Sequence, residues 1–359
     1  MPESLTALKT TYRAIEKRLD TLDFSVLWPG FKPFPFALYN DDTACLSTGC
    51  IPRPASFMGN TAIVHENAYL AIWYLQDARD LDRLTALIVH EMFHAFQQAA
   101  GETRFPNEIE AVFTMQLDET YLDLKQAEHQ ALVNACRHKD MASWHAMRAW
   151  RKTRQLAYPH QSTYENQVEV IEGTAHYVEL QALKQLDMSA YTERLDSMQE
   201  ALQDPTHCLP IRPRAYVSGA LLLEGAAKLD VKLDKRIGLT DKTYADMVMG
   251  DLKIAAMPTA PQAVCGPILI KHRQAVEARI ASIIANPEWV REARFTLRGC
   301  NVYDAQYVAP HLWTSYFVML QGAGEPFVEH GTFVCEMEER TVVKLYKARP
   351  ESKAHSTAS

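Results

Sequence analysis

LTALIVHEMFHAFQQ, residues 84–98, sets two histidines and a glutamate into an apolar, helix-forming run. Leu84, Leu87, Ile88, Val89, Phe93 and Phe96 predict a buried helix, and burial is costly for three polar groups unless partners meet them. Two readings follow. Either His90, Glu91 and His94 are core residues satisfied by neighbours, or they surround a metal ion and a reacting water.

The rest of the chain bounds the choice. Its 359 residues, 47% hydrophobic and 23% charged, suit a globular protein with a substantial core. A net charge of -7 without a long basic run sets nucleic acid and anionic membrane aside as partners, and favours a peptide or small peptide-like substrate. The opening residues, MPESLTALKTTYRAIEKRLD, place Leu5, Leu8, Tyr12, Ile15 and Leu19 on one helical face and read as an amphipathic helix, not a signal peptide. No apolar run reaches the roughly 18 residues of a membrane helix, so the expectation is a cytoplasmic protein. Seven scattered cysteines without a CxxC pair suggest neither a disulfide framework nor a thiolate zinc site. Most are expected to be reduced and partly buried, with Cys45 and Cys50 close enough to close a loop or bind metal.

Strand-like runs PFALYN, NTAIVHEN and AYLAIWYLQ, separated by turn formers, predict a small sheet after the first helix. From about Leu81 to Leu186 the pattern is helical: the opening stretch, NEIEAVFTMQLDETYLDLKQAEHQALVNAC, SWHAMRAWRKTRQLA, and a helix over about Gln167 to Leu186. Further helices are expected around Ala215–Leu229, Tyr244–Ala255 and Ile268–Ala285. RFTLRGCNVYDAQYVA, TSYFVML and GTFVCEMEERTVVKLYKA then return to strand patterns, and the polar tail PESKAHSTAS predicts disorder. The resulting fold class is α+β, predominantly α. Residues 1–79 hold the first helix and small sheet, 80–290 the helical region, 291–348 a β-rich unit and 349–359 the tail, with the parts packed as one body.

His90-Glu91-Met92-Phe93-His94 is an HExxH sequence. On a helix its histidines lie one turn apart on one face, where two imidazoles reach one zinc ion. Glu91, turned aside by about 100°, is placed to take a proton from water activated by that ion. A catalytic zinc needs a third protein ligand. The metzincin extension would need Gly at 97 and His at 100, where this chain has Gln97 and Ala100.

Downstream, Glu172-Gly173-Thr174-Ala175-His176-Tyr177-Val178-Glu179 resembles the EGxAxYxE segment of gluzincin zinc metallopeptidases, whose first glutamate is the third ligand. That resemblance implies Glu172 as the ligand completing His90 and His94, in a zincin-like catalytic core formed by the small sheet and these helices. Gly173 and Ala175 would let this helix approach the HExxH helix closely. The aspzincin pattern GTxxD fails at Tyr177, and His176 is a competing ligand. Glu165, Glu169 and Glu179 read either as a solvated face or as partners of the histidines.

Tyr216-Val217-Ser218-Gly219 is similar to the YxxG segment of aminopeptidase-type gluzincins, which implies that Tyr216 hydrogen-bonds the oxyanion. The alternative is a tyrosine in a packed helix. Arg212 and Arg214 are candidates for a substrate carboxylate. Glu66-Asn67 keeps only the last two residues of those aminopeptidases' GxMEN stretch, whose glutamate binds a substrate amine, and reads equally as a hairpin turn. In FMGNTAI, Gly59 and Asn60 are either turn residues or substrate contacts beside an edge strand that pairs with an extended peptide. No P-loop, dinucleotide fingerprint, nucleophile elbow or kinase signature occurs. The expected function is a zinc-dependent metallopeptidase with Glu91 as general base. The rivals are a zinc protein without turnover and a metal-free binding domain.

Overall fold

A computed structural model describes residues 5–76, 80–115, 117–250 and 260–350. Helix accounts for 52% and strand for 20%, which agrees with the α+β class. The expected tail and the end of the predicted Tyr244–Ala255 helix lie outside the described residues. Among the described residues no helix is long and apolar enough to cross a membrane.

The first helix, α1 (Leu5–Leu19), buries Leu8, Tyr12 and Ile15 along the predicted stripe, and a short α2 (Phe24–Leu27) follows. Five strands come next: β1 (Phe36–Tyr39), β2 (Thr43–Leu46), β3 (Gly49–Pro52), β4 (Thr61–His65) and β5 (Ala68–Tyr74). They form one sheet in the order β3-β2-β1-β5-β4, with β1 and β5 parallel and the other pairs antiparallel. Thus β4 is an edge strand. Cys45 and Cys50 oppose each other on β2 and β3 and are joined in a disulfide, so loop closure is the outcome for this pair. The other five cysteines are free and buried, as expected for most.

The helix α3 (Leu81–Ala99) carries the HExxH sequence and packs on β5 and β4. Asp80 starts it by accepting a hydrogen bond from Arg83 N at 2.9 Å. The run expected as one long helix from residue 107 splits into α4 (Glu108–Thr114) and α5 (Glu119–His138). Asp118 causes the restart, because its carboxylate accepts from Tyr121 N at 2.7 Å as an N-cap. Then come α6 (Met141–Ala157), α7 (Pro159–Val168), a π-helical turn (Glu169–Gly173) and α8 (Thr174–Leu186). The last three are stacked end to end, so the helix expected to begin at Gln167 starts one segment earlier, at Pro159, whose fixed φ and missing N–H suit a first helical turn. Next are α9 (Met188–Gln203), α10 (Ile211–Lys228), α11 (Tyr244–Met249) and α12 (Gly266–Ala285).

Seven strands end the described chain: β6 (Trp289–Cys300), β7 (Gln306–Val308), β8 (His311–Thr314), β9 (Phe317–Gln321), β10 (Phe327–His330), β11 (Phe333–Glu338) and β12 (Thr341–Lys347). They form a separate antiparallel sheet in the order β10-β9-β6-β12-β11-β8-β7. Ile109, Val112 and Phe113 of α4 pack against its core, so this sheet is docked on the helical region.

Inside the helical region, Glu165 and Glu169 are buried, contrary to a solvated face and away from the histidines. Glu169 receives Arg151 at 2.7 and 2.8 Å, and Glu165 receives Arg154 at 2.7 Å and Lys125. Glu128 takes the Nε donors of Arg151 and Arg154 at 2.6 and 2.9 Å. Three carboxylates therefore meet three cations, which offsets the cost of burying each charge.

The π turn crosses α10 at van der Waals limits. A methyl group on Gly173 would lie 2.7 Å from Gly219 Cα, and one on Gly219 would lie 2.9 Å from both Gly173 Cα and Glu169 Cβ. Gly173 therefore makes room for α10, and not for the HExxH helix as its spacing suggested. Backbone on both sides leaves nothing flexible to give way, so Gly219→Ala is expected to destabilise the fold by about 1–3 kcal/mol. Urea unfolding checks this, and an unchanged midpoint would show that the two segments do not meet this closely.

Candidate metal centre

The helix α3 sets His90 and His94 one turn apart, with ring centroids 4.8 Å apart and Nε2 atoms 3.1 Å apart. From the π turn, Glu172 brings Oε2 to 3.4 Å from His94 Nε2 and 3.9 Å from His90 Nε2. Bonds of about 2.0–2.2 Å at tetrahedral angles separate ligand atoms by roughly 3.3–3.5 Å. The three observed separations, 3.1, 3.4 and 3.9 Å, bracket that range. His90, His94 and Glu172 are thus a donor set that could hold one metal ion.

The outer nitrogens are also placed. His94 Nδ1 meets Gln97 Oε1 at 2.8 Å, and the buried Gln97 amide donates to Ile171 O and Thr174 Oγ1, both at 2.9 Å. One side chain therefore orients the imidazole and ties α3 to the segment that carries Glu172. His90 Nδ1 faces Glu179 Oε2 at 3.3 Å, off hydrogen-bonding alignment. Glu179 Oε2 also lies 2.9 Å from His176 Nδ1. His90, His176 and Glu179 form a second group of close donors. Since this group uses the outer nitrogen of His90, it fits the carboxylate–histidine support found around metal ligands.

Burial and charge set the proton inventory. Burial is the largest influence on His90 and pushes its pKa down to about 4. Burial opposes charge on His94 as well, but the hydrogen bond and charge of Glu172, with Glu91 and Gln97, raise it to about 9. Glu172 is held well below the usual carboxylate range, because His94, Arg212 and His90 outweigh its burial. Burial raises Glu91 to about 7, the charge of His94 opposing the rise and those of Glu172 and Glu179 adding to it. Glu179 is held low by His176 and His90 against its burial. Three carboxylates, those of Glu91, Glu172 and Glu179, thus converge on three imidazoles, those of His90, His94 and His176.

Tyr216 joins this group from α10. Its ring meets the His176 ring at 5.4 Å, and its hydroxyl accepts a hydrogen bond from Arg212. Arg212 also reaches Glu172 Oε1 at 3.3 Å. Arg214 is placed elsewhere: buried, it donates to Leu202 O at 2.7 Å and His129 Nδ1 at 3.0 Å, turned away from the cluster. Gly59 accepts from the Tyr39 hydroxyl at 2.6 Å through its carbonyl, and Asn60 Oδ1 accepts from Tyr74 N at 2.8 Å. Both line a cavity of ≈ 650 Å³ that Leu84 and Leu87 of α3 also line, one turn from His90. Glu66 is exposed at the tip of the β4–β5 hairpin, where Glu66 and Asn67 have φ of 50 and 64°, the conformation of a two-residue turn. A second cavity of ≈ 690 Å³ is lined by Arg212, Tyr164, Val276 and Tyr303, and the Tyr303 ring meets Tyr216 at 6.1 Å.

Two residues of the site carry no signal in the motif itself. Gln97 enters the sequence reading only as the residue that breaks the metzincin spacing, yet its place three residues after His94 puts it on the ligand face. Arg212 stands four residues before Tyr216, on the same face of α10. No family model, no curated protein and no solved structure matches this chain.

The raised pKa of His94 fixes the pH response. Without metal, its pairing with Glu172 stabilises the fold fully below the ordinary value of 6.5 and is lost as pH rises through about 9. A metal ion held here would need the neutral imidazole and would displace that proton, so the apparent affinity for added zinc should rise about tenfold per pH unit toward pH 9. Calorimetric titration at pH 7.5 in buffers of different ionisation enthalpy should show about one proton or more released per zinc ion. Zero release would contradict a protonated His94.

Proposed function

We propose that this protein is a zinc-dependent hydrolase of gluzincin type that cleaves peptide bonds. The observation that carries the reading is the convergence of His90 Nε2, His94 Nε2 and Glu172 Oε2 beside the buried Glu91 carboxyl. The sheet supports a zincin-like core as well, because its antiparallel edge strand β4 packs on the helix that bears the histidines.

His90, His94 and Glu172 would hold the ion. Bound there, zinc polarises a carbonyl and acidifies water. Glu91 takes the proton from the attacking water and delivers it to the leaving amine, a task suited to a carboxyl with a pKa raised to about 7. The Tyr216 hydroxyl donates a hydrogen bond to the developing oxyanion, which stabilises charge absent from the ground state. The free edge of β4, with Gly59 and Asn60 at its start, receives an extended substrate backbone through hydrogen bonds that do not depend on side-chain identity.

The rival reading is a zinc ion that ties helices together without turnover. The low exposure of His90, 8%, is the observation in its favour. Glu91→Gln decides between the two, because Glu91 is a base and not a ligand. Zinc content should stay at one ion per chain while hydrolysis of quenched-fluorescent peptides falls by about 10²–10⁴-fold, the usual contribution of a general base. Equal activity in the variant would remove Glu91 from the mechanism. A zinc-loaded wild type that cleaves no member of a broad peptide library would favour the tie.

A further inference from the structure

Glu172 uses its two carboxylate oxygens differently. Oε2 faces the two histidine nitrogens, whereas Oε1 faces Arg212 Nη2 at 3.3 Å and Nη1 at 3.5 Å. Arg212 is largely buried, its side chain 13% exposed. It holds Glu108 Oε1 at 2.7 Å, donates to the Tyr216 hydroxyl, and lies over the Tyr216 ring 5.0 Å from its centroid. Glu108 is fixed in turn by the Tyr164 hydroxyl, which donates to its Oε2 at 2.8 Å. Glu108 opens α4, whose Ile109, Val112 and Phe113 pack on the core of the C-terminal sheet.

We propose that Arg212 is a positioning residue of the metal centre. It occupies Oε1 of Glu172, so that Oε2 alone is turned to the ion, and it fixes the Tyr216 hydroxyl beside it. Glu108, delivered by α4, is the counter-charge that keeps Arg212 in place. The distances assign these roles. The short contact goes to Glu108, which neutralises the guanidinium, and the longer contacts to Glu172 orient that carboxylate while leaving its charge for the metal. Only a planar fork with several donors can serve Glu108, Glu172 and Tyr216 together, and a lysine ammonium cannot. The C-terminal sheet thereby acquires a part in the site, since it anchors the helix that holds Glu108.

This inference rests on the metal reading, and its test separates the two. Zinc affinity of the full chain is measured by competition with a chromophoric chelator, together with the visible absorption spectrum of the cobalt(II)-loaded protein, for wild type, Arg212→Ala and Arg212→Lys. Loss of a residue that orients a metal ligand typically weakens binding by about 10–100-fold, and a loss in this range is expected for Arg212→Ala, with an altered cobalt spectrum. Arg212→Lys, which keeps the charge and loses the fork, should weaken binding nearly as much. A purely electrostatic role predicts the opposite signs: tighter zinc in Arg212→Ala, because a cation near the ion has gone, and wild-type affinity in Arg212→Lys. Either result overturns the proposal. If Arg212→Ala fails to fold, Arg212→Lys decides alone. A wild type that binds no zinc would defeat the metal reading itself, whereas tight binding shared by all three proteins defeats only the role of Arg212.

Discussion

The placement of Glu172 by a π-helical turn is the constraint on which the rest of the site depends. Two histidines one turn apart are a property of any helix, but a third donor must arrive from another segment and stop within ångströms of them. A π turn widens the helix locally, and such turns recur at functional sites. Here every face of it is held. Gln97 ties the carbonyls of Val170 and Ile171 to α3, and Gly173 lies against Gly219 of α10. Glu169, three residues before Glu172, is locked by Arg151 and by the Ser218 hydroxyl at 2.6 Å.

The charges around that turn are arranged in two layers. Away from His90 and His94, Lys125, Arg151 and Arg154 neutralise Glu128, Glu165 and Glu169. Apolar replacements of such a set are often at least as stable, which makes orientation of α5, α6 and α7 a better account of it than strength. Around the histidines the balance is different. Glu172 is paired with His94 and Arg212, and Glu179 with His176 and Arg194, whereas burial outweighs the pull of His94 on Glu91 and leaves it near neutrality.

Much of this was legible in the sequence, and what was not has physical causes. The HExxH helix, the α+β class, the first-helix stripe and the meeting of Glu172 with the histidines follow from local periodicity or from short motifs. Glu165 and Glu169 look solvated in sequence because periodicity shows which face a residue occupies and not what lies across from it; Arg151 and Arg154 come from another helix. The choice between Arg212 and Arg214 shows the same limit. Residues two apart on a helix point about 200° away from each other, so only one of them can face the histidines. Arg212, Tyr216 and Gly219 share one stripe, and the contact of Gly219 with Gly173 turns that stripe toward Glu172. The short strands β8 and β10 lack a run long enough to read, and they exist through pairing with β11 and β9.

The same reasoning changes the standing of the C-terminal sheet. Its strands share no hydrogen-bonded pairing with the first sheet, and the sequence, which predicts it packed with the rest as one body, assigns it no part in the site. Yet α4 belongs to both halves of the molecule. Three of its apolar side chains pack against the core of that sheet, while its first residue, Glu108, pairs with Arg212 beside Glu172. A helix of seven residues has little stability of its own. It is ordered by what it packs against, so the apolar contacts with the sheet decide where the Glu108 carboxylate stands. A core built almost 200 residues downstream of the HExxH helix thus fixes a charge at the edge of the site, by ordinary burial of apolar surface.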